Sequence, residues 1–158
     1  MMNVRDALES DLGSIAELLL IVHQIHVKAQ PETYRDISHA DALEFLLPRL
    51  AETNTCLRVV EVDSELEGYC FAEIKSCPST PILQPGEFIY LNEIVVRPGI
   101  RRSGIGRALV FDLKEFARQK GITQIKLDVG HFNPKAKAFF KSQGFEVFRE
   151  RMSARVGT

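Results

Sequence analysis

Apolar positions along the chain change period several times, and each change marks an element. Met2–Leu8, carrying Val4 and Leu8, predicts a short first strand. From Leu12 the spacing turns helical through Ile15, Leu18, Leu19, Val22 and Ile25, with Ser10 or Asp11 placed to cap the helix and Gln30-Pro31 to close it. Ser38-x-x-Asp41 reads as a capping box with Asp in place of Glu. It opens a second helix through Leu43, Phe45, Leu46, Leu47 and Leu50, which Pro48 kinks or ends. Cys56–Val62 and Leu66–Lys75, parted by Asp63-Ser64-Glu65, predict a β-hairpin. In its second strand Leu66, Gly68, Cys70, Ala72 and Ile74 alternate with bulkier or charged residues, which predicts one buried face.

Cys77–Gly86 holds Pro78, Pro81 and Pro85 and is a loop, either functional or a passive connection. A central strand follows over Glu87–Val96, then a helix from about Ile105 that turns Ile105, Ala108, Leu109, Leu113, Phe116 and Ala117 inward and closes at Lys120-Gly121. Ile122–Val129 is a strand, Pro134–Gln143 a helix closed by Gly144, and Phe145–Met152 a last strand. The order is strand, two helices, three strands, helix, strand, helix, strand: one mixed α/β (α+β) domain over residues 1–158.

Composition narrows the function. Of 158 residues, 45% are hydrophobic and 26% charged, an ordinary soluble balance, and the net charge of -1 offers no global attraction to nucleic acid or an anionic membrane. Leu18–Val22, the longest aliphatic run, reads as too short to cross a bilayer, and the N-terminus lacks a signal pattern. Cys56, Cys70 and Cys77 are odd in number without metal-ligand spacing, which fits free thiols in a cytoplasmic protein and suggests no metal site.

The chemistry concentrates where the central strand meets its helix. Ile89, Leu91, Ile94, Val95 and Val96 have the composition of a strand buried on both faces, and Pro98-Gly99 stops it. Arg101, Arg102 and Arg107 surround Gly104 and Gly106 at the start of the helix. Arginines there oppose the helix dipole, a conflict that a bound anion removes, so the stretch reads as a phosphate cradle rather than a bare basic turn.

These residues resemble a known family. Arg101-Arg102-Ser103-Gly104-Ile105-Gly106 is similar to the GNAT acyltransferase pattern of Gln or Arg, two residues, Gly, one residue, then Gly or Ala. Asn133, followed by Ala138–Phe145, is similar to its second block, and the element order agrees over essentially the whole chain. The resemblance implies a mostly antiparallel central sheet flanked by helices, with a splayed strand pair forming a cofactor cleft. It further implies acetyl-CoA as co-substrate, a primary amine as acceptor, and direct attack in a ternary complex. Pantetheine would lie along the backbone of Ile94 and Val96, beside Val95, and the pyrophosphate on the amides of Arg102, Ser103, Gly104, Ile105, Gly106 and Arg107. Asn133 would flank the cofactor or cap the helix at Pro134, or do both. No nucleic-acid or membrane partner follows, and a homodimer stays open.

Acetyl transfer to an amine needs a base and a proton for departing CoA. Glu93, a carboxylate inside an apolar strand, is the first candidate base, its other reading being an ion pair with a nearby arginine; Asp128 is the second. The family usually places a Tyr where this chain has Phe140, so the usual acid is absent and Tyr90 or water is the replacement. His23 and His26 read as packing residues. The acceptor falls to Val22–Ser38 and Cys77–Gly86, where no sign of charge dominates. Two other readings remain: a non-catalytic acyl-CoA-binding module, and a dinucleotide-binding fold, against which Leu109 occupies the third glycine position.

Overall fold

The computed structural model describes residues 1–100 and 103–157. Arg101 and Arg102, two residues of the expected cradle, lie outside the described residues.

Residues Met1–Asp128 form one compact unit. It contains strand β1 (Met2–Asp6), helix α1 (Leu12–Ala29), helix α2 (His39–Leu46), strands β2 (Thr55–Val62), β3 (Glu65–Cys77) and β4 (Gly86–Val96), helix α3 (Ile105–Gln119) and strand β5 (Ile125–Lys126). The sheet order follows the chain, β1 to β5. The first three pairings are antiparallel, and the fourth, β4 with β5, is parallel.

Period-2 alternation sets the two sheet faces. Leu57, Val59, Tyr69, Phe71 and Val95 pack with Leu12, Ile15, Leu18 and Leu19 of α1 and Ala42 and Leu46 of α2. Gly68 faces α3 on the other side, where an added Cβ would stand 3.1 Å from Ile105 Cγ2 and 3.2 Å from Val60 Cγ1. Arg58 of β2 ties α3 to the sheet through a bidentate pair to Asp112, both bonds 2.8 Å, and reaches Asp6 as well. The second hairpin strand is thus buried on both faces rather than one, because α1 and α3 cover it from opposite sides: Tyr69 is 0% and Phe71 2% exposed.

Local signals explain most boundaries. The Ser38–Asp41 capping box forms as expected, Ser38 N donating to Asp41 Oδ2 at 2.8 Å and Asp41 N to Ser38 Oγ at 3.1 Å. Pro48 ends α2 in a 3-10 turn, Leu47–Leu50. Asp11 does not cap α1; its carboxylate accepts from Leu8 N at 2.7 Å and pairs with Arg5, closing a 3-10 turn at Glu9–Asp11. With that turn, Glu9–Ala29 is long and apolar enough to cross a membrane by length and composition, contrary to the reading of its aliphatic run. Its stripe of Leu12, Ile15, Ala16, Leu18 and Leu19 is instead spent on the core.

The strand expected over Ile122–Val129 shrinks to Ile125–Lys126. Gly121 (φ +69°) and Ile122 belong to the C-terminal cap of α3, Gly121 N donating to Arg118 O and Ile122 N to Ala117 O.

Residues Val129–Thr158 form the second unit. Its helix α4 (Pro134–Ser142) is capped by Asn133, whose Oδ1 accepts from Ala136 N at 3.2 Å, and Gly144 (φ +91°) follows its end. Phe145–Met152 is not a strand; Glu146–Met152 are exposed and carry no ladder. Alternation gives a segment the capacity for a strand, and a hydrogen-bonded partner is what makes it one.

Candidate active site

The site begins with one extra residue in β4. Phe71 pairs with Glu93 and Ala72 with Leu91, so the register slips at Asn92. Leu91 and Glu93 have the same parity, yet the bulge sends them to opposite faces: Leu91 with Ala72, Glu93 with Phe71 and Tyr69. Asn92 turns to the same face as Glu93, its Nδ2 donating to Glu73 Oε1 at 2.9 Å. A regular strand would have pointed Glu93 at α3; the bulge places it at the α1 side.

There the Tyr69 hydroxyl donates to Glu93 Oε2. Burial pushes the phenol well above its ordinary range, with the neighbouring carboxylate adding to the effect, so Tyr69 remains a donor. Burial also raises Glu93, opposed by the Tyr69 hydrogen bond and by positive charge at His26, His23 and Arg49. The outcome is a carboxyl that holds a proton more readily than an ordinary glutamate. The ion-pair reading of Glu93 is not met: among the described residues its hydrogen-bond partner is a phenol.

His23 and His26 line this side of the sheet from α1. His23 Nε2 lies 2.6 Å from Arg35 O, and His26 Nδ1 lies 3.1 Å from Val22 O. Both rings meet Tyr34 edge-on, with centroids 6.1 and 5.0 Å away. They pack as expected and also face the carboxylate. Arg49 completes the group; its guanidinium lies over the rings of Phe45 and Phe71.

Tyr90 and Asp128, proposed separately from the sequence, are brought together: Tyr90 Oη donates to Asp128 Oδ2 at 2.5 Å. Lys75 Nζ stands 4.7 Å from the centre of the Tyr90 ring.

Two backbone features could receive a cofactor. Pairing between β4 and β5 stops at Tyr90–Lys126, leaving Leu91–Val96 without a strand partner on that side among the described residues. Arg97 N donates to Glu67 O of β3 at 2.8 Å, so alternation turns the peptide groups of Val96 and Ile94 toward the open side. Val95 itself is buried. At the start of α3, Gly104 takes φ +88° and, having no side chain, leaves the first amides of the helix uncapped. Ser103 donates to Ile100 O at 2.5 Å, Ile105 is buried, Gly106 half-buried, and Arg107 exposed. An extended backbone edge and an uncapped helix N-terminus fit an amide-bearing arm that ends in a pyrophosphate.

In the second unit Phe140 meets Phe139 and Phe145 edge-to-face, centroids 5.2 and 5.5 Å away. Cys56 and Cys70 are buried thiols, Cys56 pushed up to about 12 by burial, so neither is an activated nucleophile.

Sequence reasoning missed Tyr69 and Arg49. A Tyr in the middle of an apolar strand carries a signal, because its hydroxyl needs a partner once the ring is buried.

Comparison with known proteins identifies the family. The acetyltransferase (GNAT) family matches residues 19–145, and the chain belongs to that family. It is therefore an acyltransferase of the N-acetyltransferase class, and the dinucleotide-binding alternative falls with its requirement for a parallel sheet. A relative in Bacillus subtilis, the uncharacterized N-acetyltransferase YhfO, is 28% identical over 92% of this chain and 90% of its own length. The solved structure of a tetramutant of the BH1408 protein from Bacillus halodurans superposes with a TM-score of 0.92 at 23% identity, covering 98% of this chain and 99% of its own. An aminoglycoside N-acetyltransferase, AAC(6')-Iy, solved in complex with CoA, has a TM-score of 0.77 at 17% identity, covering 99% and 95%.

Proposed function

We propose that the protein transfers an acetyl group from acetyl-CoA to a primary amine by direct attack in a ternary complex, with Glu93 as the base. The observation that carries this reading is the bulge that sets Glu93 against Tyr69, beside the open edge of β4. An ammonium must lose a proton before it attacks, and a carboxyl with raised proton affinity accepts one nearer neutral pH than an ordinary glutamate does. Bound acetyl-CoA supplies an activated acyl carbon.

The remaining roles belong to this chain's own groups. The peptide groups of Ile94 and Val96 hold the pantetheine arm as an added strand. The amides from Arg102 to Arg107, with Arg101, receive the pyrophosphate. Phe140 donates no proton, and a thiol is acidic enough to leave as thiolate. Tyr90 is the alternative donor. Buried, unactivated Cys56 and Cys70 support direct attack over an acyl-cysteine route. The three unpaired cysteines support a cytoplasmic location.

A second reading makes Asp128 the base, favoured by the 2.5 Å hydrogen bond through which Tyr90 orients its carboxylate. Release of CoA thiol on mixing acetyl-CoA with a panel of primary amines tests the transfer itself. Binding of acetyl-CoA without release for any amine would overturn it in favour of a binding module.

A further inference from the structure

Arg49 is a half-buried cation at the edge of the Glu93 site, and no carboxylate among the described residues pairs with it. Its guanidinium carbon lies 3.7 Å over the centre of the Phe45 ring and 5.8 Å from that of Phe71. Nη1 donates to the Phe45 carbonyl. Phe71 is the cross-strand partner of Glu93, so the cation stands one side chain away from the carboxylate. A guanidinium taken partly out of water with no carboxylate in hydrogen-bond contact costs free energy that a partner arriving from outside would offset. The aromatic contacts hold the stem and leave the remaining nitrogens for an oxyanion, which a planar guanidinium binds through two parallel hydrogen bonds.

His26 and His23 reach Glu93 from α1, each in contact with Tyr34. The Glu93 carboxylate therefore has one arginine and two imidazoles as neighbours, with the Glu73 carboxylate on the same face held by Asn92. A polyamine would bring several positive charges up against a fixed guanidinium. An acceptor with one amine and one anion would satisfy both Glu93 and Arg49.

The geometry points to an acceptor that carries a carboxylate or a phosphate a few bonds from its amine, with Arg49 as the group that binds the anion. This rests on the acetyl-transfer reading above and assigns the acceptor's class within it. The anion sets affinity, while Glu93 meets the amine.

Matched acceptors test it: lysine against cadaverine and alanine against ethylamine for a carboxylate, glucosamine 6-phosphate against glucosamine for a phosphate. Thiol release is measured for wild type, Arg49→Gln and Arg49→Lys. In at least one pair the anionic member should have kcat/KM higher by about 10- to 100-fold, the range of a charge-assisted hydrogen bond. Arg49→Gln should bring that ratio close to one, mainly through KM, and Arg49→Lys should keep part of it. The pair that responds identifies carboxylate or phosphate. Equal or better use of the uncharged or dicationic members overturns the proposal, and so does a ratio that survives Arg49→Gln. If no amine is acetylated, the transfer reading fails on its own. Calorimetry of lysine and glucosamine 6-phosphate against their matched amines then judges the anion site: Arg49-dependent preference sustains it, and absence of preference overturns it. Melting temperatures show whether Arg49→Gln is folded; if it is not, the wild-type and Arg49→Lys ratios decide.

Discussion

The Tyr69 hydroxyl, on a ring fully buried in β3, donates its hydrogen bond to the Glu93 carboxylate across the sheet on β4. Removing that donor leaves Glu93 more reluctant to ionise, because the bond favours the charged form. Tyr69→Phe should therefore move the acid limb of the pH–rate profile to higher pH, with a stability loss of about 1 kcal/mol. An unmoved acid limb in a folded Tyr69→Phe variant would show that the pair does not govern catalysis.

Stability should report the same carboxyl. Glu93 is raised from 4.5 on folding, burial being the main cause, so between 4.5 and its folded value the native state holds more protons than the unfolded chain. Wild-type stability then falls as pH rises through that window. Glu93→Gln lacks this term and keeps an acceptor for Tyr69. The melting temperature of Glu93→Gln minus that of wild type should increase from about pH 4 to about pH 7, above the ordinary carboxylate range. A difference that is flat with pH would contradict burial of the charge.

Gly68 is required by space, not by turn geometry. A Cβ there would stand 2.7 Å from the Val95 carbonyl oxygen, a backbone atom with no freedom to move aside. Gly68→Ala should cost about 1–3 kcal/mol through strain between β3, β4 and α3. Denaturant unfolding measures it, and a neutral Gly68→Ala would mean that the sheet and α3 separate easily at this point.

Gly104 presents the opposite case. Nothing lies within 4 Å of an added Cβ, but φ +88° is left-handed. Alanine or valine there should cost about 1–2 kcal/mol through backbone strain or shift the start of α3. Since the expected effect is on the presentation of the helix amides, acetyl-CoA affinity should fall in Gly104→Ala nearly as far as in Gly104→Val. Arg101→Ala should weaken it further by removing charge. Calorimetry gives both, and unchanged affinity would remove the cradle from the account.

Much of this was legible in the sequence. Helical and alternating periods located α1 to α4 and the hairpin, and the glycines and arginines after the central strand pointed to the GNAT family. What the pattern hid were features that depend on a partner. A regular strand would put Glu93 on the face of Leu91, and only pairing with β3 reveals the extra residue that reverses it. Tyr69 read as the outer face of its strand until α1 covered it. Phe145–Met152 alternates like a strand without a ladder to join, and Ile122 was claimed by the cap of α3. Tyr90 and Asp128, far apart in sequence, met only through the parallel pairing of β4 and β5.

The most direct measurement is the pH–rate profile of acetyl transfer by Glu93→Gln beside wild type, with acetyl-CoA affinity measured on the same samples. Affinity should be unchanged, because backbone groups and arginines hold the cofactor. The rate near neutral pH should fall by about 10²-fold or more, the range for loss of a general base. Part of that loss should return at high pH, where more of the amine is already neutral. A folded Glu93→Gln that transfers acetyl at the full wild-type rate would contradict the account and pass the role of base to Asp128.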